Sequence, residues 1–114
     1  MSDSDRDIPR AKMTPQERRF RSQLAQLVNQ RGLMRGSLSV RQRVCGKEGC
    51  KCTRGQLHKS LYLVLTEDGR TRQLYVPRAF EARVRQWVEN HGLARRLMEE
   101  ISRCYWKKVR DRQE

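Results

Sequence analysis

Three cysteines and a histidine lie close together near the middle of the chain. Cys45, Cys50 and Cys52 fall within eight residues, and His58 follows six positions after the last of them. Thiolate sulfur and imidazole nitrogen are donors that a closed tetrahedral zinc site uses. The spacing Cys-x4-Cys-x-Cys-x5-His therefore predicts a structural Zn²⁺ site in which the protein supplies every ligand.

The same segment leaves other chemistry open. Cys50 and Cys52 would point to opposite sides of an extended strand, so both reach one ion only if the segment coils. The alternatives are reduced thiols packed in an interior, an iron–sulfur cluster and a redox-active thiol. A redox role is an alternative because the nearby cations would favour a thiolate; these cations are Lys47, Lys51 and Arg54.

The fourth metal ligand has two candidates. His58 is nearest to the three clustered cysteines, whereas Cys104 is far along the chain. Cys104 falls beside the predicted apolar stripe, near Leu97 and Ile101, where a small buried thiol is the ordinary outcome. We therefore favour His58 as the ligand.

Residue sets that would indicate an enzyme are few. Glu67 and Asp68 fall in a predicted turn, Glu99 and Glu100 are adjacent on a predicted helix, and neither pair faces an acid–base partner. A zinc ion with four protein ligands also keeps no open position for water. We expect a protein that is not an enzyme, with thiol redox chemistry as the one credible enzymatic alternative.

The chain of 114 residues is strongly basic. It carries 26 Lys and Arg against 13 Asp and Glu, a net charge of +13, and Arg outnumbers Lys 20 to 6. Between residues 8 and 66 only Glu17 and Glu48 are acidic. Such a field favours a polyanionic partner, and guanidinium groups suit two-pronged contacts to phosphate. The alternative explanation for the excess of Arg is a GC-rich genome that encodes Arg in place of Lys.

The first predicted helix begins at residue 14 and ends near Gly32. Thr14 is placed as the N-cap, Pro15 as the first helical residue and Glu17 as the reciprocal partner in a capping box. An apolar stripe at helical spacing follows: Phe20, Leu24, Leu27 and Val28.

Three strands are predicted next. Apolar and polar residues alternate over 38–44, an apolar run covers 61–65, and a third strand covers 73–76 before Pro77. The sequence Glu67-Asp68-Gly69-Arg70 predicts a four-residue turn of a hairpin between the last two strands.

A long helix is predicted from Arg78 onward. Its apolar stripe continues through Gly92, which favours one helix with a weak point there. The stripe either packs on the protein's own core or, over residues 80–105, pairs with a partner protein or a second copy. Its members are Phe80, Val84, Trp87, His91, Ala94, Met98, Ile101 and Tyr105.

Together these elements predict an α+β fold of order αβββα. We expect one small domain over 14–110 with a metal loop at 45–58, a disordered tail at 1–13 and a short tail at 111–114. The sheet and loop then present cations that could contact phosphates: Arg41, Arg43, Lys47, Lys51, Arg54, Arg70 and Arg72.

Several motifs resemble an uncharacterised family of small bacterial and archaeal domains. They are Gly36-Ser37-Leu38, the run CGKEGCKCTRG at 45–55, His58 before a Tyr-containing strand, and Tyr75-Val76-Pro77 before a long helix. That family is marked by a CGKxGCxC signature and is often found near mobile elements. The chain departs from many relatives at Lys59-Ser60, where they have Gly-Pro.

We therefore expect a small zinc protein that binds nucleic acid, DNA rather than RNA, as an accessory to a mobile-element or DNA-processing machine. The alternative is a protein-interaction adaptor that uses the long helix. The longest apolar run, 61–65, is far too short for a membrane span, and the N-terminus is acidic and polar. These features favour a cytoplasmic protein without a membrane partner.

Overall fold

A computed structural model describes residues 12–43 and 58–112. It confirms the predicted α+β order of one helix, three antiparallel strands and a long helix. In chain order the elements are α1 (Pro15–Gln30), β1 (Ser37–Arg43), β2 (His58–Glu67), β3 (Arg70–Val76), a 3₁₀ turn (Arg78–Phe80) and α2 (Glu81–Arg110).

Helix α1 begins where the sequence predicts. Thr14 Oγ1 accepts a hydrogen bond from the Glu17 amide at 3.0 Å, and Pro15 occupies the first turn. The helix ends before Gly32, as expected. The second half of the predicted capping box is wrong, because the Glu17 carboxylate contacts Arg21 and Tyr105 instead of returning to the helix start.

The sheet has the strand order β1-β2-β3, and both pairings are antiparallel. Asp68 and Gly69 have φ of 53° and 74°, which are the two positive values that a type I′ turn requires. Glu67 and Arg70 pair across the hairpin, so the predicted four-residue turn Glu67-Asp68-Gly69-Arg70 is confirmed, with Asp68 and Gly69 as its two central residues. Strands β2 and β3 are longer than the sequence indicated, because their pairing continues to this tight turn and β2 also pairs with β1 from His58 onward.

The described residues form two compact units. Residues 34–89 belong to one of them, and residues 12–33 and 90–112 belong to the other. In the unit formed by residues 34–89, one face of the sheet makes the core. Its buried members are Leu61, Leu63, Val76 and Val84, flanked by Met34, Leu38, Trp87 and Val88. Apolar burial on this face fixes which strand residues point away from it.

Helix α2 runs unbroken through Gly92, as predicted. Within its apolar stripe Val84 and Ala94 are buried, but Met98 is 60% exposed and Leu97 is buried instead. A repeat of 3.5 residues drifts on an ideal helix of 3.6 residues per turn, so a stripe that follows heptad spacing leaves the buried side after a few turns.

A buried carboxylate is the central feature of the other unit, which contains residues 12–33 and 90–112. The Glu17 side chain is fully buried, and its Oε2 accepts hydrogen bonds from Arg21 Nε and from the Tyr105 hydroxyl, each at 2.8 Å. Its Oε1 lies 3.9 Å from Lys108 Nζ. Glu17 therefore links the first turn of α1 to the last turns of α2.

The pKa directions in this cluster follow from burial and hydrogen bonding. Burial raises the pKa of Tyr105 above its ordinary value, and donation to Glu17 raises it further against the opposing effect of Arg21. Burial works against the charge of Arg21, but hydrogen bonds to Glu17 and Tyr105 outweigh it, so the pKa of Arg21 is raised. At neutral pH Tyr105 therefore stays a hydrogen-bond donor and Arg21 stays a cation.

None of the described helices is long and apolar enough to cross a membrane.

Candidate nucleic-acid interface

The face of the sheet opposite Leu61 and Leu63 is polar and aromatic. We call it the outer sheet face. Strand alternation and register assign it the following residues: Ser37, Ser39 and Arg41 of β1, His58, Ser60, Tyr62, Val64 and Thr66 of β2, and Thr71, Gln73 and Tyr75 of β3. No member of this set is acidic. The outer sheet face therefore offers hydroxyl, amide, aromatic and guanidinium groups to a ligand without a carboxylate among them.

Two tyrosines and one arginine occupy the middle of this face. Tyr62 and Tyr75 are directly opposite in register, with ring centroids 5.7 Å apart in an edge-to-face arrangement at 67°. The Arg41 guanidinium lies over the Tyr62 ring, 4.4 Å from its centroid. Tyr75 is 53% exposed. Cross-strand aromatic pairing and the cation–π contact hold these three groups in place.

The structure does not bring Arg70 and Arg72 onto the same face as Arg41. Arg72 pairs with Leu65 and Arg70 with Glu67, so both residues share a face with Leu61 and Leu63, although both are exposed. Because side chains alternate along a strand, residues at even spacing from buried Val76 lie on its side of the sheet. Membership of one sheet is therefore not enough to put cations on one surface.

Most of the other predicted phosphate contacts and most of the predicted zinc ligands lie outside the residues that the structure describes. Cys45, Cys50, Cys52, Lys47, Lys51 and Arg54 all lie outside the described residues. Of Arg43, the structure describes only the backbone pairing with His58. In the described ranges there is no group of three His, Cys, Asp or Glu that could hold a metal ion.

His58 nevertheless has an informative position. It is the exposed first residue of β2 and pairs with Arg43, the last residue of β1. The chain thus leaves the sheet and re-enters it at adjacent strand ends, and the three clustered cysteines belong to the connection between them. Cys104 is a partly buried free cysteine on α2, in the other compact unit.

Sequence reasoning missed Tyr62 and Tyr75, although a signal for them exists. Both alternate with residues of the core face: Tyr62 lies between Leu61 and Leu63, and Tyr75 precedes Val76. Tyr62 precedes the Asp68-Gly69 turn by as many residues as Tyr75 follows it, so a hairpin with this turn pairs the two tyrosines. The tight turn and the alternation together would have placed both rings side by side on the outer sheet face.

A second exposed surface lies on the C-terminal half of α2. Trp106 and Val109 are 77% and 78% exposed, and Met98 is also exposed. Trp106 and Val109 share their surroundings with three cations, Arg103, Lys107 and Arg110. Large apolar groups in such a position are typical of contact sites.

Comparison of the sequence with known protein families identifies the family of this chain. Residues 11–86 match the family described as Domain of unknown function (DUF6788). The chain belongs to the DUF6788 family. The part that matches DUF6788 covers α1, the whole sheet, the cysteine segment and the start of α2, but not Trp106 or Val109. No curated protein and no solved structure matches the chain.

Proposed function

We propose that the protein binds nucleic acid, DNA in particular, through the outer sheet face. The observation that carries this proposal is the arrangement of Arg41, Tyr62 and Tyr75 on a sheet face whose described residues include no carboxylate. The guanidinium is held in place by the Tyr62 ring, so a phosphate contact costs little additional ordering of the side chain. Arg41 is the phosphate contact, and neighbouring hydroxyl and amide groups position the backbone.

The charge of the whole chain supports the same partner. A net charge of +13 creates a positive potential that draws in a polyanion and raises its rate of association. Arg43, Lys47, Lys51 and Arg54 follow Arg41 in the chain, and we propose them as further phosphate contacts. Arg70 and Arg72 contribute to the general field and not to the outer sheet face.

A structural zinc ion held by Cys45, Cys50, Cys52 and His58 is the second part of the proposal. The donor set supports it, and so does the pairing of Arg43 with His58, which puts His58 beside the strand end where the cysteine segment starts. A zinc ion there would fix the basic segment against the sheet. Three thiolate ligands suit a reducing compartment, which supports a cytoplasmic location.

The remaining parts of the proposal rest on the resemblance of this sequence to domains with a CGKxGCxC signature. The run at 45–52 supports membership of that signature group. Its association with mobile elements supports a role as an accessory to a DNA-processing machine. The proposed role is binding and includes no catalytic step, because a zinc ion with four protein ligands has no open position.

A protein-interaction adaptor is the second candidate. It is favoured by the exposure of Trp106 and Val109 on α2. The predicted pairing stripe over residues 80–105 supports it less, since Val84 and Ala94 are buried within the described residues of this chain. An apolar contact of this kind would respond little to salt.

Salt dependence separates the two candidates. With a fluorescently labelled DNA oligonucleotide, we expect the logarithm of the binding constant to fall linearly with the logarithm of salt concentration, with a slope of about −4 for about five phosphate contacts. Fluorescence anisotropy at several salt concentrations measures this slope. Absence of binding at about 50 mM salt, or a slope near zero, would contradict the proposal.

A further inference from the structure

We infer that the outer sheet face takes single-stranded rather than duplex nucleic acid, with a base stacked on Tyr75. This inference rests on the proposed function, because it names which form of nucleic acid the same surface binds. It comes from the aromatic groups of the face and not from its charge, so the two can be tested separately.

The Tyr75 ring is exposed and held in position, so it is available for stacking. About half of its surface is exposed, and its neighbour Tyr62 supports it through the edge-to-face contact. The Tyr62 ring is already in contact with the Arg41 guanidinium. Tyr75 is therefore the ring of the pair that is open to a ligand, and every base has a π-face that such a ring can stack on.

A duplex cannot make this contact. Within a double helix each base is stacked between its neighbours, so a protein ring reaches a base face only if the base is unpaired or splayed out. A duplex ligand would instead use phosphate contacts alone, and Tyr75 would contribute little. The half-exposed Tyr75 ring therefore favours a nucleic-acid strand whose bases are unpaired.

The groups around Tyr75 suit the binding of one continuous strand of nucleic acid. Tyr75 and Arg41 lie on the two edge strands, whose axes are about 10 Å apart at the usual spacing, and the register offsets Arg41 by two residues, which puts their Cα atoms about 12 Å apart. A base on Tyr75 and a phosphate at Arg41 can thus belong to nearby nucleotides. Gln73 lies two residues from Tyr75 on the same face and can contact a base edge or a sugar.

The test compares three variants with single-stranded DNA and with the matching duplex, using labelled oligonucleotides of about 12 nucleotides. Tyr75→Ala removes the ring, Tyr75→Phe keeps it, and Leu74→Ala removes a side chain of equal exposure from the opposite face of the same strand. We expect Tyr75→Ala to weaken single-strand binding about tenfold. Tyr75→Phe and Leu74→Ala should bind as the intact protein does.

The outcomes distinguish this inference from the proposed function. Tighter binding of the intact protein to the single strand, lost selectively in Tyr75→Ala, supports both. Equal or tighter binding to the duplex, or a Tyr75→Phe variant as weak as Tyr75→Ala, overturns the single-strand inference and leaves the DNA-binding proposal standing. Absence of binding to either form overturns the proposed function itself. Circular dichroism melts confirm that each variant is folded, and the preference of the intact protein needs no variant at all.

Discussion

Replacing Glu17 with alanine is expected to lower the free energy of unfolding by about 3 to 4 kcal/mol. The carboxylate is fully buried and accepts hydrogen bonds from Arg21 and Tyr105. Its loss removes the Oε1 atom that lies 3.9 Å from the partly buried Lys108 ammonium, and it opens a cavity. For a chain of this size, which is stable by roughly 5 to 15 kcal/mol, such a loss is a large fraction of the total.

Chemical denaturation of the variants measures this effect. Glu17→Gln keeps the volume and removes the charge, so we expect a smaller loss of about 1 to 2 kcal/mol. Glu99→Ala removes an exposed carboxylate from α2 and should change stability by less than about 0.5 kcal/mol. If Glu17→Ala were no less stable than Glu99→Ala, the buried cluster would not be a stabilising link between α1 and α2.

Replacing Cys50 with serine is expected to abolish zinc binding and to lower the melting temperature by more than about 10 °C. A serine hydroxyl is a poor zinc ligand, and metal binding in such sites contributes directly to folding. The intact protein should carry one zinc ion per chain by native mass spectrometry and lose it on acid denaturation. The variant should carry none after gel filtration.

Cys104→Ser is the matched control for this prediction. It removes the free thiol of Cys104 on α2, which is not among the ligands that we propose, and should leave the zinc content unchanged. Loss of zinc in Cys104→Ser would assign the fourth ligand to Cys104 in place of His58. Intact protein that is purified without zinc, and does not bind it when zinc is added, would overturn the metal proposal.

The features that the sequence predicted well are local. Thr14 and Pro15 mark a helix start within one turn, and the Asp68-Gly69 pair supplies the positive φ values of a tight hairpin turn. The continuation of α2 through Gly92 follows from the apolar periodicity on both sides of it. Each of these signals depends on residues a few positions apart, so no knowledge of tertiary packing was needed.

The features that the sequence did not reveal depend on register and on long-range contacts. The separation of Arg41 from Arg72 and the contact of Tyr62 with Tyr75 follow only once the strand pairing is known. Glu17 is spaced three residues before Phe20 in the helical stripe, and its burial is compensated by hydrogen bonds from Arg21 and from Tyr105, which is far along the chain. A charged side chain in an apolar stripe is thus a signal for a distant partner.

A comparison of Arg41→Ala with Arg72→Ala shows directly whether the outer sheet face is the nucleic-acid interface. The two variants remove the same charge from opposite faces of one sheet. We expect Arg41→Ala to weaken DNA binding about fivefold and to reduce the magnitude of the salt slope by about one, whereas Arg72→Ala should change affinity less than about twofold. Equal effects of the two variants, or a larger effect of Arg72→Ala, would contradict the assignment of the interface to this face.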